Sequence, residues 1–230
     1  MTHEVEVDDA ILAATVIVVR DAGDGAGGVE TLLLRRNSRL GFAGGMWVFP
    51  GGRVDEHDAA AGDDEEQAAR RAAVREAKEE AGIELDADVL VPLSHWTPDR
   101  ASAHRRFATW FFLAAATSDT VVVDGGEIVD HGWVRPAAAL GRHAAGEIEL
   151  LPPTFVTLSD LAAHDSVAEA LERALERGVP RYFTRMVKVE GDLVALWDGD
   201  AGYERGEAAL DEGPQHRLLM GSLPWRYLKG

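Results

Sequence analysis

Glu76, Glu79 and Glu80 stand in the segment Arg75-Glu76-Ala77-Lys78-Glu79-Glu80-Ala81-Gly82-Ile83. On a helix the spacing i, i+3, i+4 brings their carboxylates to one face. Like charges gathered this way repel one another, and Lys78 points elsewhere. A hard cation, Mg²⁺, Mn²⁺ or Ca²⁺, suits such an oxygen cluster, and Mg²⁺ takes its remaining ligands from substrate phosphate and water. The same pattern also describes an ordinary solvated helix face, so the helix alone does not decide.

Context decides. Upstream lies Phe49-Pro50-Gly51-Gly52-Arg53-Val54. Paired glycines, then a helix carrying Arg-Glu-x-x-Glu-Glu-x-Gly-hydrophobic, resemble the Nudix box. The resemblance implies an α/β (α+β) fold, the Nudix α/β/α sandwich with a mixed sheet, and metal-dependent hydrolysis of a diphosphate linkage. One departure stands out. Asp55–Asp64 lengthens the usual glycine-to-helix spacing by about nine residues, and the position eight before Arg75, usually glutamate, is Gln67. That glutamate normally helps hold the box arginine, so Glu65 or Glu66 is the expected stand-in.

The flanks narrow the resemblance. Leu32-Leu33-Leu34-Arg35-Arg36-Asn37-Ser38, Gly41-Phe42 and Trp47-Val48-Phe49-Pro50-Gly51-Gly52 are similar to the coenzyme A diphosphatase branch, especially its peroxisomal members, where an interrupted box is usual. His95-Trp96-Thr97-Pro98, Arg105-Arg106-Phe107, Glu127 before Trp133, and Leu151-Pro152-Pro153-Thr154 continue the match, which covers roughly residues 10–160. The substrate this implies is CoA or acyl-CoA, cleaved to 3′,5′-ADP and (acyl-)4′-phosphopantetheine. ADP-ribose or NADH on the same machinery is the nearest alternative, and a non-catalytic nucleotide-binding module is a rival of another class.

A diphosphate's negative oxygens repel hydroxide, and a bound cation, Mg²⁺ or Mn²⁺, both neutralises them and acidifies water. Glu76, Glu79 and Glu80 are the expected metal ligands, and the resemblance adds the Gly51 carbonyl. Glu76, Glu79 or the later Glu127 is expected to accept the water proton. Gly52, Arg75 and Gly82 are expected to hold the box in shape. Arg35, Arg36, Arg39 and Arg53 crowd the glycine turn, and Arg105 and Arg106 belong to a second basic patch with Arg100 and His104. These are the candidates to grip a diphosphate or a 3′-phosphate. Trp133 and Phe107 read as core.

These residues need elements to position them. Ala10–Arg20, rich in Val and Ile, predicts a strand covered on both faces. Thr31–Arg36 reads as its partner, and Met46–Phe49 as a short extended piece. Asp55–Asp64 has no pattern. A helix starting near Asp63 or Asp64 and stopping at Gly82 carries the glutamates, with Val74, Ala77 and Ala81 as its packing face. Val89–His95, Arg106–Ala116 and Ile128–Trp133 are further strands. Pro152–Ala163 and Ser166–Arg177 are helices, the latter opened by a Ser166-x-x-Glu169 capping box. Short strands at Arg185–Val189, Leu193–Trp197 and His216–Met220 follow. The expected organisation is a Nudix domain over 1–179 and a β-rich extension over 180–230 packed on it.

Composition bounds the rest. The chain has 230 residues, 46% hydrophobic and 27% charged, as in a globular protein. It has no cysteine, so disulfides, thiolate metal sites and a cysteine nucleophile are excluded, and a cytoplasmic setting is the expectation. A net charge of −17 argues against nucleic acid as a partner. The longest apolar run, Ala10–Val19, is half a membrane span, and acidic residues (Glu4, Glu6, Asp8, Asp9) precede it, so no membrane is expected. The expected partner is a small nucleotide diphosphate, with a homodimer compatible. With only 3 lysines among 23 basic residues, most cations can fork onto phosphate.

Overall fold

The computed structural model describes residues 10–23, 25, 27–99, 106–123, 125–206 and 213–230. Arg100, His104, Arg105 and the acidic start lie outside the described residues. The sheet is built on β1 (Ile11–Asp21), which pairs in parallel with β6 (Phe107–Ala115) along its length. Its other edge is shared. β2 (Val29–Arg36) takes the later half of β1 and β4 (Gly51–Arg53) the earlier half, both antiparallel. β4 therefore fills the wedge where β2 leaves β1.

β3 (Trp47–Val48) and β7 (Ile128–Val134) pair with β2, and β5 (Val91–Thr97) pairs with β6. With β8 (Arg181–Phe183) in parallel beside β5, the sheet has eight strands of mixed direction. The apolar run in β1 is unbroken because both faces are covered. Ala14, Val16 and Val18 meet the glutamate-bearing helix, and Ile17 and Val19 face the opposite core.

That helix, α1 (Glu65–Ala81), starts at Asp64, whose side chain accepts from Gln67 N at 2.9 Å while Gln67 Oε1 accepts from Asp64 N at 2.9 Å. It stops at Gly82, in the left-handed conformation at φ 66°. Its buried face is a stripe of alanines, Ala69, Ala72, Ala73, Ala77 and Ala81, so the helix lies close on the sheet. The opposite face is covered by α2 (Pro136–Ala144), α3 (Pro152–Leu161) and α4 (Val167–Arg177). Ser166 caps α4 by accepting from Glu169 N at 3.2 Å. The reciprocal bond differs from the expected box, because the Glu169 carboxylate accepts from Asp165 N at 2.8 Å.

Residues 184–230 add a four-stranded antiparallel sheet, β9 (Arg185–Val189), β10 (Asp192–Leu196), β11 (His216–Leu219) and β12 (Arg226–Lys229). It shares the main core. Tyr182 stacks on Trp96 with ring centroids 3.8 Å apart, and Trp197 meets the Trp96 ring edge-on at 5.6 Å. Ala195, Trp197 and Leu218 belong to the same buried cluster as Leu113 and Phe155.

The strand-rich segment is pinned by a buried ion pair. Arg217 donates to both carboxylate oxygens of Asp200 at 2.7 and 2.8 Å, and Asp200 also accepts from the Gly202 and His216 amides. Removing one partner of such a pair strands the other charge, at a cost of about 3–5 kcal/mol. Arg217→Met should therefore lower the denaturant midpoint substantially. A loss below about 1 kcal/mol would show the pair to be dispensable.

Candidate active site

The alanine stripe of α1 sets the geometry of the site. Because the helix sits close on β1 and β4, the Glu76 carboxylate lies directly against Gly52, and a Cβ there would come within 2.4 Å of its oxygen. One turn on, Glu80 is buried and its Oε2 accepts from the Gly51 amide at 2.9 Å. Gly51 is equally confined, since a Cβ would approach the Ala14 carbonyl to 2.4 Å. Gly51 is thus fixed by the close approach of the β1 backbone, whereas at Gly52 a Cβ would have to push the end of the Glu76 side chain aside.

Arg75 organises the outer side. Its Nη1 donates to Glu76 at 2.7 Å and Glu79 at 3.1 Å, and its Nη2 donates to the Arg53 carbonyl at 2.9 Å. Its remaining fork grips Asp58, with Nε to Oδ1 at 3.1 Å and Nη2 to Oδ2 at 2.9 Å. Asp58 is only 3% exposed. It ends a single 3₁₀ turn, Glu56–Asp58, inside the stretch expected to lack structure.

The expected stand-ins do other work. Glu66 pairs with Arg70 at 2.8 Å, Glu65 accepts from Trp110 at 2.9 Å, and Gln67 caps the helix. Among the described residues none of the three bonds to Arg75, whose buried acid is Asp58. Asp58 is the acid that sequence reasoning missed. It was legible as an acidic residue on the near side of the insertion, counted forward from Gly52 instead of back from Arg75.

Alternation along β2 separates the two arginines at its end. Arg36, largely buried, lies 3.7 Å from Glu80 and 3.3 Å from Glu127, which sits just before β7. Arg35 points to the opposite face, 3.6 Å from Asp130, in a polar cleft with Trp47 and Arg142. It is not part of the glutamate cluster. The exposed Arg53 pairs with Asp55 at 2.8 Å, and Arg39, also exposed, is seen only through its amide bond to Asn37. Half-buried Arg106 donates to the Pro98 carbonyl at 2.9 Å. Phe107, read as core, is only half-buried and contacts the exposed Phe42 ring at 5.3 Å, while half-buried Trp133 lies under Arg20.

Crowding shows in the proton affinities. Burial, then Glu76 and Glu127, push Glu80 up to about 8 against the pull of the Gly51 amide and Arg36. Burial, then Glu79 and Glu127, also raise Glu76, and Arg75 opposes them. Asp58 goes the other way. Burial disfavours its charge, but Arg75 and the Asp55 amide hold it below the usual carboxylate range. A hard divalent cation fits this set, since the glutamates offer only oxygen donors and lie close enough to repel one another. As placed, Arg36 and Arg75 meet part of that charge. Among the described residues no three acidic or histidine side chains converge as a closed ligand set, so closing one requires the exposed Glu79 or Glu127 to change rotamer.

Comparison with known proteins gives the family. A model of the NUDIX domain matches residues 11–153, well over half the chain. The chain belongs to the Nudix family. A Caenorhabditis elegans relative named "Putative nudix hydrolase 7" is 29% identical over 170 residues, 58% of this chain and 56% of that one. This Nudix chain thus spans little more than half the length of that curated relative. A solved NUDIX hydrolase from Alicyclobacillus acidocaldarius superposes with a TM-score of 0.64 at 24% identity, covering 72% of this chain and 97% of that one, which shows a shared Nudix fold. No helix among the described residues is long and apolar enough to cross a membrane.

Two outcomes follow from the packing of the Nudix glutamates. Gly52→Ala should displace the Glu76 carboxylate, visible as a shifted side chain in a crystal structure; an unmoved Glu76 would refute the close-approach argument. Glu80 gives a pH signature in protein stripped of metal with a chelator. Its folded value near 8 lies above the ordinary 4.5. Its stabilising contribution is therefore fully present below about pH 4.5 and is lost as pH rises through 8. Glu80→Gln should flatten this slope and be the more stable protein at pH 9. Parallel melting curves for the two proteins from pH 5 to 9 would contradict the assignment.

Proposed function

We propose that this chain is a Nudix hydrolase that splits a diphosphate linkage with a divalent cation, Mg²⁺ or Mn²⁺, held by Glu76 and Glu80 with Glu79. The observation that carries the reading is the pairing of Glu80 with the Gly51 amide while Glu76 rests on Gly52. A buried and a partly buried carboxylate are fixed there at a backbone turn, with Arg36 and Arg75 meeting only part of their charge. A bound cation neutralises the phosphates and makes water a stronger acid. The chain's own residues do the rest. Glu76 and Glu80 are locked by packing, which suits ligands. Glu79 and Glu127, exposed at the rim and paired with Arg75 and Arg36, are the candidates to take the proton of the attacking water. Arg36, between Glu80 and Glu127, is placed to meet phosphate oxygens as well.

For the substrate we propose CoA or acyl-CoA. The support is the resemblance of the flanking segments to the coenzyme A diphosphatase branch and the half-buried Arg106 beyond the box. A charge-assisted contact from Arg105 or Arg106 to the 3′-phosphate is worth roughly 1.5–3 kcal/mol. Dephospho-CoA, which lacks that phosphate, should then be cleaved about ten- to a hundredfold less efficiently.

The test compares CoA, dephospho-CoA, ADP-ribose and NADH with purified protein and Mg²⁺ or Mn²⁺. Glu76→Gln and Glu80→Gln should cut turnover by orders of magnitude on whichever substrate is used, and near-normal activity would remove the metal roles. Arg106→Ala should shrink the gap between CoA and dephospho-CoA. Equal cleavage of the two by the native protein, or faster cleavage of ADP-ribose, would eliminate the CoA reading and leave the hydrolase standing.

A further inference from the structure

We propose that Phe42, braced by Phe107, is a stacking platform for the nucleobase of the diphosphate substrate. The inference rests on the hydrolase reading above and deepens it by naming the part of the substrate held beyond the cation.

Phe42 is 51% exposed. A single exposed phenylalanine is ordinary and needs no explanation. This one is braced, rigidly presented and close to the phosphate end of the site. The brace is Phe107, whose ring centroid lies 5.3 Å away at a tilt of 54°. That separation is within the roughly 4.5–7 Å of favourable aromatic pairs, so the ring is oriented while half its surface stays open.

The loop that presents Phe42 is closed by its own backbone. The Asn37 amide donates to the Glu127 carbonyl at 2.7 Å, and its side-chain amide donates to the Gly126 carbonyl at 3.0 Å. The Gly45 amide donates to the Arg36 carbonyl at 3.1 Å, and the Met46 amide to the Ala43 carbonyl at 3.1 Å. At Gly44 the chain is so tight that a Cβ would approach the Leu40 carbonyl to 2.5 Å. Ala43, directly after Phe42, is held at φ 51°, the left-handed region that residues with a Cβ avoid. Such strain persists where the surroundings impose it, and it concentrates at ligand sites.

Position supplies the ligand. The loop begins at the residue after Arg36, the arginine between Glu80 and Glu127. Phe107 opens β6 beside Ile11, and Arg53 lies beside Ala13 on the other side of β1. Two strand spacings, about 10 Å, therefore separate Phe107 from the end of the glycine turn. A nucleoside attached to a diphosphate at Glu76 and Glu80 has that reach. Arg106, the proposed contact for a ribose 3′-phosphate, is the chain neighbour of Phe107, so base and ribose phosphate fall at one place. Stacking needs only the π-face that every base offers, and two phenylalanines offer nothing else.

The test measures binding of AMP and of ribose 5-phosphate, which lacks the base, to the full chain by calorimetry with Mg²⁺ present. Phe42→Ala should weaken AMP about ten- to a hundredfold, the size of one stacked base, and leave ribose 5-phosphate unchanged. On a nucleotide diphosphate substrate the same variant should raise KM and keep kcat, because the stack is made equally before and during the reaction. Phe42→Trp keeps a ring and should retain AMP binding. The proposal is overturned if Phe42→Ala binds AMP as the native protein does, if it loses both ligands equally, or if Phe42→Trp fails alongside it. It is also overturned if Phe42→Ala splits a native dimer in gel filtration with AMP binding unchanged, since the ring then serves a second copy of the chain. A native protein that cleaves a diphosphate but binds AMP no better than ribose 5-phosphate removes the platform alone. One that cleaves no diphosphate strikes the hydrolase reading beneath it.

Discussion

Everything at this site depends on how closely an alanine-faced helix can approach a turn made of two glycines. Ala73, Ala77 and Ala81 leave no side chain to hold α1 away from β1, and Gly51 and Gly52 leave none on the turn. The result is contact between carboxylates and backbone that a Cβ on Gly52 would displace. The approach explains why β4, three residues long and with little intrinsic strand preference, is ordered at all. It is gripped on one side by β1 and on the other by Glu76 and Glu80.

Such closeness has an electrostatic consequence. Glu80 is almost fully buried among other acids, in a chain of net charge −17, so the fold carries a concentrated negative potential at this turn. Two arginines manage it from opposite sides. Arg36 reaches in from β2 between Glu80 and Glu127, and Arg75 reaches back along the helix to Glu76 and Glu79. They differ in how they are themselves held. Arg75 has an acid of its own in Asp58 and is locked, whereas Arg36, among the described residues, leans on the glutamates it serves. A ligand bringing both a cation and phosphate charge would exchange partners with Arg36 more readily than with Arg75.

Much of this was legible in the sequence, for reasons that differ by element. The start and stop of α1 were marked by residues with one conformational purpose, Asp64 as cap and Gly82 in the left-handed turn. β1 announced itself as an apolar run covered on both faces, and Arg185–Val189 is a strand where a short one was expected. β4 was invisible because glycine carries no strand signal. α2 was missed because Pro136-Ala137-Ala138-Ala139 has no apolar rhythm until packing supplies one. β8 is three residues whose pairing with β5 is purely tertiary. At the site, helical spacing placed Glu76 and Glu80 on one face, and strand alternation could have warned that Arg35 and Arg36 part company. Asp58 was hidden because the anchor of Arg75 was sought at a fixed distance along the helix.

The insertion shows how such a relation survives a change in chain length. What Arg75 requires is a buried carboxylate at its back; the position of that carboxylate in the sequence is incidental. Moving it off the helix frees the first turn of α1, where Gln67 caps and Glu65 meets Trp110 beside the buried His95. It also obliges the longer loop to be fastened, which Arg71 does through Asp58 and Asp63. The loop that separates the two halves of the box is therefore tied across α1 at three levels, by Arg71, Arg75 and the Asp64 cap. A segment without helical or strand pattern is held by charge pairing instead, and it carries the acid that the adjoining helix lacks.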